Sequence, residues 1–251
     1  MSKLFFENLE ESIQNIHSGL VVDCVIMTFH DQKIKVLLNK YIRNDKWMLP
    51  GGFIFKDEDV DAAAKRVLKE RTGINNVFLK QFYLFGKKDR VNIDEKIKLM
   101  ENYGIDSNEV PTFLNRFASM GYFSFVNFDE VNLTEKEDDN YQWFNLDVVP
   151  KLSYNHNEIV NKAIKMIRIQ FDYLPIGYEL LPDKFTIVDL RIIYESIFGV
   201  DVDKRNFRKK MLASNLIISL DEVRETDPYP KPNLYKFNQD KIKELFDQDL
   251  F

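Results

Sequence analysis

The sequence has a single cysteine and no long apolar run, and both shortages narrow the class of protein. Cys24 stands alone among 251 residues, so no internal disulfide can form, which fits a reducing compartment. The most apolar early stretch, 20–29, is interrupted by Asp23 and is too short to span a bilayer. Residues 1–20 place apolar residues at helical spacing among charges, unlike a signal peptide. We therefore expect a cytoplasmic protein with no membrane partner.

The chain also lacks an excess of positive charge. Its formal net charge is −5, which excludes a polycationic protein and confines any nucleic-acid site to a local patch. A length of 251 residues allows one large domain or two modest ones. Two prolines and no clear periodicity mark 172–182 as a linker. We expect one domain over 1–172 and a second over 173–251.

The order of apolar patterns predicts strands mixed with helices in the first domain. Strands are expected over 21–29, 34–38, 77–85 and 122–128, with a further short apolar element at Trp143 and Phe144, and helices over 59–71 and 157–171. Residues 94–118 have a polar, helical pattern broken at Tyr103-Gly104, which we interpret as an insertion at a sheet edge. This mixture indicates an α/β or α+β first domain.

A glycine loop followed by a helix carries the first motif. Gly52, Glu58, Arg66 and Gly73 have the spacing of the Nudix signature, and Trp-x-Leu-Pro-Gly-Gly, beginning at Trp47, precedes them as in that family. The match resembles the Nudix family over more than twenty consecutive positions. These four residues are predicted to be structural, because a loop carboxylate can pair with a helix guanidinium.

The same helix lacks most of the carboxylates that hold magnesium in active Nudix enzymes. Magnesium prefers hard oxygen ligands, and positions i, i+3 and i+4 lie on one helix face. Here those positions are Val67, Glu70 and Arg71, and a fixed cation repels a divalent ion by roughly a few kcal/mol. We expect no metal, no cofactor and no catalytic residue. The alternative is an active magnesium-dependent hydrolase of a nucleoside diphosphate derivative, with ligands recruited from elsewhere, for example Glu101, Glu109 or Glu130.

The second motif predicts a helix-turn-helix in the C-terminal domain. Thr186 and Asp189 are spaced as a capping box, Gly199 ends the first helix, and Asp203 caps the second. Strands over 216–220 and 234–237 then flank a charged hairpin that resembles a wing.

The second of these helices is basic on one side. Its cations neutralise phosphates in the DNA-binding interpretation, and Arg205 or Asn206 reaches base edges. Phe207 and Met211 point toward the first helix. The alternatives are a solvated charged helix and a winged helix that binds protein. The predicted DNA-contact residues are Thr186, Lys204, Arg205, Asn206, Arg208, Lys209 and Lys231.

Together the two motifs resemble the Nudix-related transcriptional regulators, the group that includes NrtR and AraR. The similarity runs through 180–186, Tyr194-Glu195, Gly199, 203–209 and 234–237. The AraR-like branch is the more similar one, and its resemblance includes 154–160 and 175–177. It fails over 91–120. It also fails at Tyr229-Pro230-Lys231-Pro232, where the group often has a Gly-Arg-Pro-type turn.

The resemblance implies an α+β fold, in which a Nudix-type α/β/α sandwich with a mixed sheet precedes a winged helix-turn-helix domain. It also implies a homodimer on a palindromic double-stranded operator, with the inactive Nudix domain sensing a small molecule. That effector is a pentose sugar in AraR-like members and an ADP-ribose-type nucleotide in NrtR-like members, and we favour a sugar. For the insertion at 91–120 three alternatives stay open: it covers the pocket, it enlarges the dimer interface, or it does neither. The predicted pocket residues are Trp47, Phe53, Lys65, Asp89, Arg90 and Tyr122.

Overall fold

The computed structural model describes residues 14–41, 44–73, 79–108, 114–131, 133, 139–170, 176–225 and 231–247. Contacts divide the chain into two compact units. One lies within 1–27, 35–124 and 129–163, and the other within 28–34, 125–128 and 164–251. The domain boundary predicted at 172 falls among residues outside the described ranges, and it stays a prediction.

A six-stranded sheet forms the framework of the N-terminal part. Its strand order is β4-β5-β1-β2-β6, with β3 also paired to β1. The pairings β1–β3, β2–β6 and β4–β5 are antiparallel. Residues 22–27 of β1 are buried on both faces, as expected for an apolar run at the centre of a sheet. The strands are β1 (Ile16–His30), β2 (Lys33–Tyr41), β3 (Gly51–Phe55), β4 (Leu79–Phe85), β5 (Ala118–Phe125) and β6 (Asp139–Asn145).

In the described part of the chain, the helices that accompany this sheet are α1 (Val60–Thr72), α2 (Ile93–Asn102) and α3 (His156–Gln170). Short 3-10 turns cover Phe128–Glu130 and Leu146–Val148. Helix α1 ends at Gly73, which has φ 73° and donates its N–H to the Lys69 carbonyl over 2.9 Å, as the sequence predicts.

The C-terminal unit combines helices with a small sheet. Its helices are α4 (Ile176–Leu180), α5 (Ile187–Phe198), α6 (Lys204–Ala213) and α7 (Gln239–Asp247), and its strands are β7 (Phe185–Thr186), β8 (Ile217–Val223) and β9 (Asn233–Phe237). The strand order is β7-β9-β8, antiparallel throughout. The core of this unit consists of Phe185, Ile187, Leu190, Phe207, Met211, Ile217, Tyr235, Phe237 and Ile242.

Several sequence-based boundaries need correction. The helical pattern of 1–20 does not continue to its end, because β1 already begins at Ile16. The strand predicted over 122–128 runs over Ala118–Phe125 and lies between β4 and β1. The predicted insertion connects the edge strand β4 to its neighbour β5, and its last residues, 118–120, belong to β5. The predicted break at Tyr103 is correct, since α2 ends there.

Three elements of the C-terminal unit were not predicted. Helix α4 lies within the predicted linker 172–182, strand β7 is only two residues long, and α7 forms near the charged end of the chain. None of the described helices has the length and apolar content needed to cross a membrane.

Candidate effector and DNA-binding sites

The scaffold pair of the Nudix box is formed. Nε and Nη2 of Arg66 donate to the two carboxylate oxygens of Glu58 over 2.8 and 2.9 Å, and Nη2 also reaches the Phe53 carbonyl at 2.8 Å. The Glu58 carboxylate accepts the Phe55 N–H at 3.2 Å. The hydrogen bond from Arg66 lowers the pKa of Glu58. The pair thus ties the loop after β3 to helix α1.

The residues at the three metal-ligand positions have other structural roles. Val67 is buried, and a Cβ on Gly52 would lie 2.8 Å from its Cγ2, so β3 and α1 meet closely here. Arg71 is buried and donates to the Tyr141 hydroxyl over 2.7 Å. Glu70 is half exposed, 3.5 Å from Nη1 of Arg66. Only one of the three side chains is therefore a carboxylate, and it already faces a guanidinium.

The alternative ligands give no metal centre among the residues that the structure describes. Glu101 is an exposed residue of α2, Glu130 is exposed in a 3-10 turn, and Glu109 lies outside the described ranges. Within those ranges, no group of three or more His, Cys, Asp or Glu side chains is placed to hold a metal ion.

A cavity of about 110 Å³ lies beside β1 and β3. Strand β1 contributes Asp23, β3 contributes Phe53, and helix α3 contributes its first residue, His156. The insertion contributes Lys96 and Leu99 from α2, together with Phe117. The insertion thus forms part of the wall of this cavity.

Asp23 is the centre of the polar side chains in this cavity. Its carboxylate accepts a hydrogen bond from the Ser119 hydroxyl and one of 3.3 Å from Nη2 of Arg90. Nε2 of His156 lies 3.5 Å from the other carboxylate oxygen. Nη1 of Arg90 donates to the Phe117 carbonyl over 2.7 Å. A buried carboxylate in an apolar strand is thus stabilised by an ion pair and further donors.

The hydrogen bonds of His156 define its protonation. Its Nδ1 accepts the Leu49 N–H over 2.9 Å, so the proton of the neutral ring is on Nε2, facing Asp23. Burial lowers the pKa of His156 despite the nearby Asp23 carboxylate. The imidazole is therefore neutral at pH 7, and it contributes a donor rather than a charge.

Lys96 brings a second cation to the cavity. Its side chain is buried, Nζ donates to the Asn115 carbonyl over 2.9 Å, and Nζ also lies 5.0 Å from the centre of the Phe117 ring. Burial, with a smaller contribution from the Arg90 charge, lowers the pKa of Lys96 to about 8. A lysine held in this way remains mostly protonated at pH 7.

The structure brings together two of the six predicted pocket residues. Phe53 and Arg90 line the cavity, whereas Trp47, Lys65, Asp89 and Tyr122 are not among its lining residues. Trp47 packs edge-on against Phe144, Tyr122 donates to Asp61, and Lys65 and Asp89 are exposed.

Sequence reasoning missed Asp23, Lys96, Phe117 and His156. A carboxylate inside the apolar run of β1 is a signal that would have found Asp23. The other three come from distant parts of the chain and carry no comparable local signal.

The predicted recognition helix is α6, and its cations face solvent. Phe207 and Met211 are buried, and the Phe207 ring lies 5.3 Å from that of Tyr194 on α5. Asp203 caps the helix by accepting the Asn206 N–H over 2.9 Å. The apolar side of α6 is therefore anchored, as predicted, and the opposite side is exposed to solvent. The exposed polar residues are Lys204, Arg205, Asn206, Arg208, Lys209 and Lys210.

Three residues of the predicted DNA-contact set also make contacts within the protein. Thr186 is buried and accepts the Asp189 N–H over 3.3 Å, while Asp189 accepts the Thr186 N–H over 2.8 Å. This is the predicted capping box, and it removes Thr186 from the contact set because its hydroxyl is enclosed. Nε of Arg208 donates to the Tyr235 hydroxyl over 2.8 Å. Lys231 pairs with Glu225.

Comparisons with known proteins identify both parts of the chain. The model of the NUDIX domain matches residues 17–164, more than half of the 251, and that of the NrtR DNA-binding winged helix domain matches 177–237. A curated relative is the "ADPR responsive transcriptional repressor NtrR" of Acinetobacter baylyi, 25% identical over 225 residues, which are 87% of this chain and 81% of the relative.

Solved structures share the fold. NrtR of Shewanella oneidensis in complex with a 27mer DNA has a TM-score of 0.66 at 23% identity, over 89% of this chain and 95% of that one. A MutT/nudix family protein from Enterococcus faecalis has a TM-score of 0.64 at 21% identity, over 94% and 97% of the two chains. The chain thus belongs to the NUDIX family, among the Nudix-related transcriptional regulators that join this domain to an NrtR-type DNA-binding winged helix.

Proposed function

We propose that this protein is a transcriptional repressor whose operator affinity is controlled by a small effector in the Asp23–Arg90 cavity. The observation that carries the DNA-binding role is the exposed cationic side of α6. Residues 204–210 contain five lysines and arginines and no acid, in a chain whose net charge is −5. Such a local patch attracts phosphates where the whole chain does not.

The effector is proposed to be a pentose or an ADP-ribose-type nucleotide. The Acinetobacter relative is named as responsive to ADPR, which favours the nucleotide over the sugar expected from the AraR-like resemblance. The cavity has the features of a small-molecule site, because a mainly apolar wall surrounds a few convergent polar groups. Effector control requires that the ligand bind the free and the DNA-bound protein with different affinity.

The Nudix domain is proposed to sense its ligand rather than cleave it. Val67 and Arg71 fill two of the three metal-ligand positions, and both are buried parts of the helix packing. A hydrolase would need a divalent ion held close to the Arg71 guanidinium, which repels it.

The remaining parts of the proposal are a homodimer, a palindromic operator and a cytoplasmic location with the genomic DNA. Two copies of α6 related by a twofold axis read two half-sites about one helical turn apart, about 34–36 Å. Effector binding to the Nudix domain would then change the spacing or the angle between the two recognition helices.

The test is selection of genomic fragments by the purified protein at near-physiological salt, followed by sequencing. Enrichment of one palindromic sequence is the expected result, and addition of ADP-ribose or arabinose should release it. The test variant is Arg205→Ala with Lys209→Ala, which removes two exposed cations and should strongly weaken enrichment. A folded protein that enriches no sequence, and that cleaves ADP-ribose with magnesium, would establish the hydrolase instead.

A further inference from the structure

Helix α3 belongs to both compact units of the chain. It is one continuous α-helix over His156–Gln170, and the division between the units falls inside it, after Ala163. Its first residue lines the cavity, and its last turns belong to the unit that contains the winged helix. An α-helix rises about 1.5 Å per residue, so His156 and Arg168 are about 18 Å apart along its axis.

The first turn of α3 is fixed to the wall of the cavity. The His156 ring accepts the Leu49 N–H over 2.9 Å, and its other nitrogen lies 3.5 Å from the Asp23 carboxylate. The next residue, Asn157, donates to the Pro150 carbonyl over 2.9 Å. A ligand that shifts Leu49 or Asp23 therefore acts directly on the start of α3.

The last turn of α3 is bound to the first helix of the helix-turn-helix. Nε of Arg168 donates to the Ile197 carbonyl over 2.7 Å. Ile197 lies in the last turn of α5, where carbonyls have no partner within the helix and a cation is favourable. Nη2 of Arg168 also lies near Gly199, since a Cβ on that glycine would be 3.9 Å away. Arg168 and α5 both belong to the second unit.

Hydrogen bonds continue from the end of α5 to the start of α6. Gly199 has φ 67° and donates its N–H to the Glu195 carbonyl over 2.8 Å. The Glu195 carboxylate accepts the Val202 N–H over 2.9 Å and a hydrogen bond of 3.1 Å from Arg191. Asp203, the next residue, caps α6. The turn between the two helices is thus held at both ends, and a shift of the end of α5 changes the position of α6.

We propose that α3 transmits occupancy of the cavity to the recognition helix, with Arg168 as the positioning residue through which it acts. This rests on the proposed function, because it gives the regulation of the same cavity. A ligand that moves the first turn of α3 moves its last turn too, since the internal hydrogen bonds of a helix keep its length nearly constant. Loss of Arg168 should therefore reduce the effect of the effector on DNA binding while leaving both binding sites in place.

The first experiment compares wild type with Arg168→Met, which removes the donors and keeps an unbranched side chain at an exposed position. Fluorescence anisotropy measures operator affinity with and without saturating ADP-ribose. ADP-ribose should weaken operator binding at least about fivefold in wild type and less than about twofold in Arg168→Met. Calorimetry should show that the DNA-free variant binds ADP-ribose as wild type does. A merely structural role of Arg168 would instead weaken the binding of DNA or of ADP-ribose alone.

Two further variants of α3 make this comparison specific. Lys165→Met removes an exposed cation from the same helix and should keep the full response to ADP-ribose. Arg168→Lys keeps a charged donor for the Ile197 carbonyl and should keep the response as well.

A double-mutant cycle tests α3 without any effector. His156→Gln alters the cavity end of the helix, Arg168→Met alters the other end, and operator affinity is measured for both single variants and for the double variant. Residues this far apart without shared partners usually act additively. Coupling through α3 should instead produce a departure from additivity of at least about threefold. The same cycle with Lys165→Met should be additive.

The outcomes separate this inference from the proposed function. If wild type responds to ADP-ribose and Arg168→Met responds equally, or if the His156–Arg168 cycle is additive, transmission through α3 is wrong while effector control stands. If neither ADP-ribose nor arabinose changes the operator affinity of wild type, effector control by these ligands is wrong. The cycle then decides alone, because a non-additive result supports coupling through α3 and an additive one overturns it.

Discussion

Nη1 of Arg71 donates a hydrogen bond of 2.7 Å to the Tyr141 hydroxyl, which links helix α1 to strand β6 at a position where active Nudix enzymes have a metal ligand. The side chain has thus changed from a surface ligand to part of the packing between a helix and the sheet. Arg71 is 6% exposed, so a carboxylate in place of its guanidinium would have little access to water.

The substitution Arg71→Glu should therefore destabilise the protein without creating a hydrolase. We expect a loss of about 3 kcal/mol in the free energy of unfolding, because the new carboxylate is buried without a cation. Urea unfolding at pH 7 measures this, and release of AMP from ADP-ribose with magnesium measures catalysis. Lys69→Glu, exposed on the same helix, should change stability by less than about 0.5 kcal/mol. Magnesium-dependent turnover by Arg71→Glu would show that the metal site is otherwise intact.

The Glu58–Arg66 pair predicts how stability responds to acid. The pKa of Glu58 is lowered in the folded protein from its ordinary value of 4.5, so its contribution is present above that pH and is lost as the pH falls below it. Glu58→Gln should lose about 1 kcal/mol at pH 7.

The free energies of unfolding of the wild type and Glu58→Gln should converge as the pH falls below 4.5. Urea unfolding at several pH values measures this. Glu70→Gln is the control, because Glu70 is 43% exposed and 3.5 Å from Arg66, so its effect should be smaller. Parallel curves for wild type and Glu58→Gln would mean that the pair contributes nothing to the acid response.

Removal of two cations from α6 should change the salt dependence of DNA binding. Arg205→Ala with Lys209→Ala should lower operator affinity and reduce the slope of log affinity against log salt by about two, since each phosphate contact contributes about 0.9. Fluorescence anisotropy at several salt concentrations measures the slope. Lys69→Ala with Lys165→Ala removes equal charge from exposed positions on α1 and α3 and should leave the slope unchanged. An unchanged slope in the α6 variant would place the phosphate contacts elsewhere.

The buried charge of Lys96 should lower the free energy of unfolding at neutral pH. Its pKa falls to about 8 in the folded protein from an ordinary 10.5, so between these values the unfolded chain holds more protons and stability rises with pH. Lys96→Met should therefore be more stable than wild type at pH 7 by about 1–3 kcal/mol.

The advantage of Lys96→Met should shrink as the pH rises toward 10.5, as measured by urea unfolding at several pH values. The control is Lys98→Met, which removes an exposed lysine from the same helix. A variant less stable than wild type at pH 7 would show that the Lys96 bond to the Asn115 carbonyl outweighs the burial of its charge.

Local features of this fold were predictable from the sequence, because their determinants lie within a few residues. The Glu58–Arg66 pair depends on a spacing of eight, and the capping box of Thr186 and Asp189 on a spacing of three. The buried Phe207 and Met211 followed from helical periodicity in the same way. Such features depend on backbone hydrogen bonds and on side-chain contacts between residues close in sequence, and only weakly on the rest of the chain.

The cavity could not be predicted in the same way. Its polar groups come from Asp23, Arg90, Lys96 and His156, which only the sheet and two helices bring together. Candidates chosen for closeness to the box, such as Trp47 and Lys65, do not line this cavity, because closeness in sequence does not decide which side of a strand or helix faces it. The insertion has the polar composition of a surface segment, yet its Lys96 side chain is buried.

The packing of Val67 and Arg71 bears on how this protein can evolve. The Val67 side chain fills the space against Gly52, and Arg71 is joined to Tyr141. A return to hydrolysis needs carboxylates at both positions, yet Arg71→Glu alone buries a charge without a cation. Val67→Glu alone places a carboxylate in the packed space against Gly52 and leaves the Arg71 guanidinium beside the metal position. Each single-codon intermediate is therefore less stable than its parent and gains no catalysis in return. The packing of these two side chains thus opposes a stepwise return to hydrolysis.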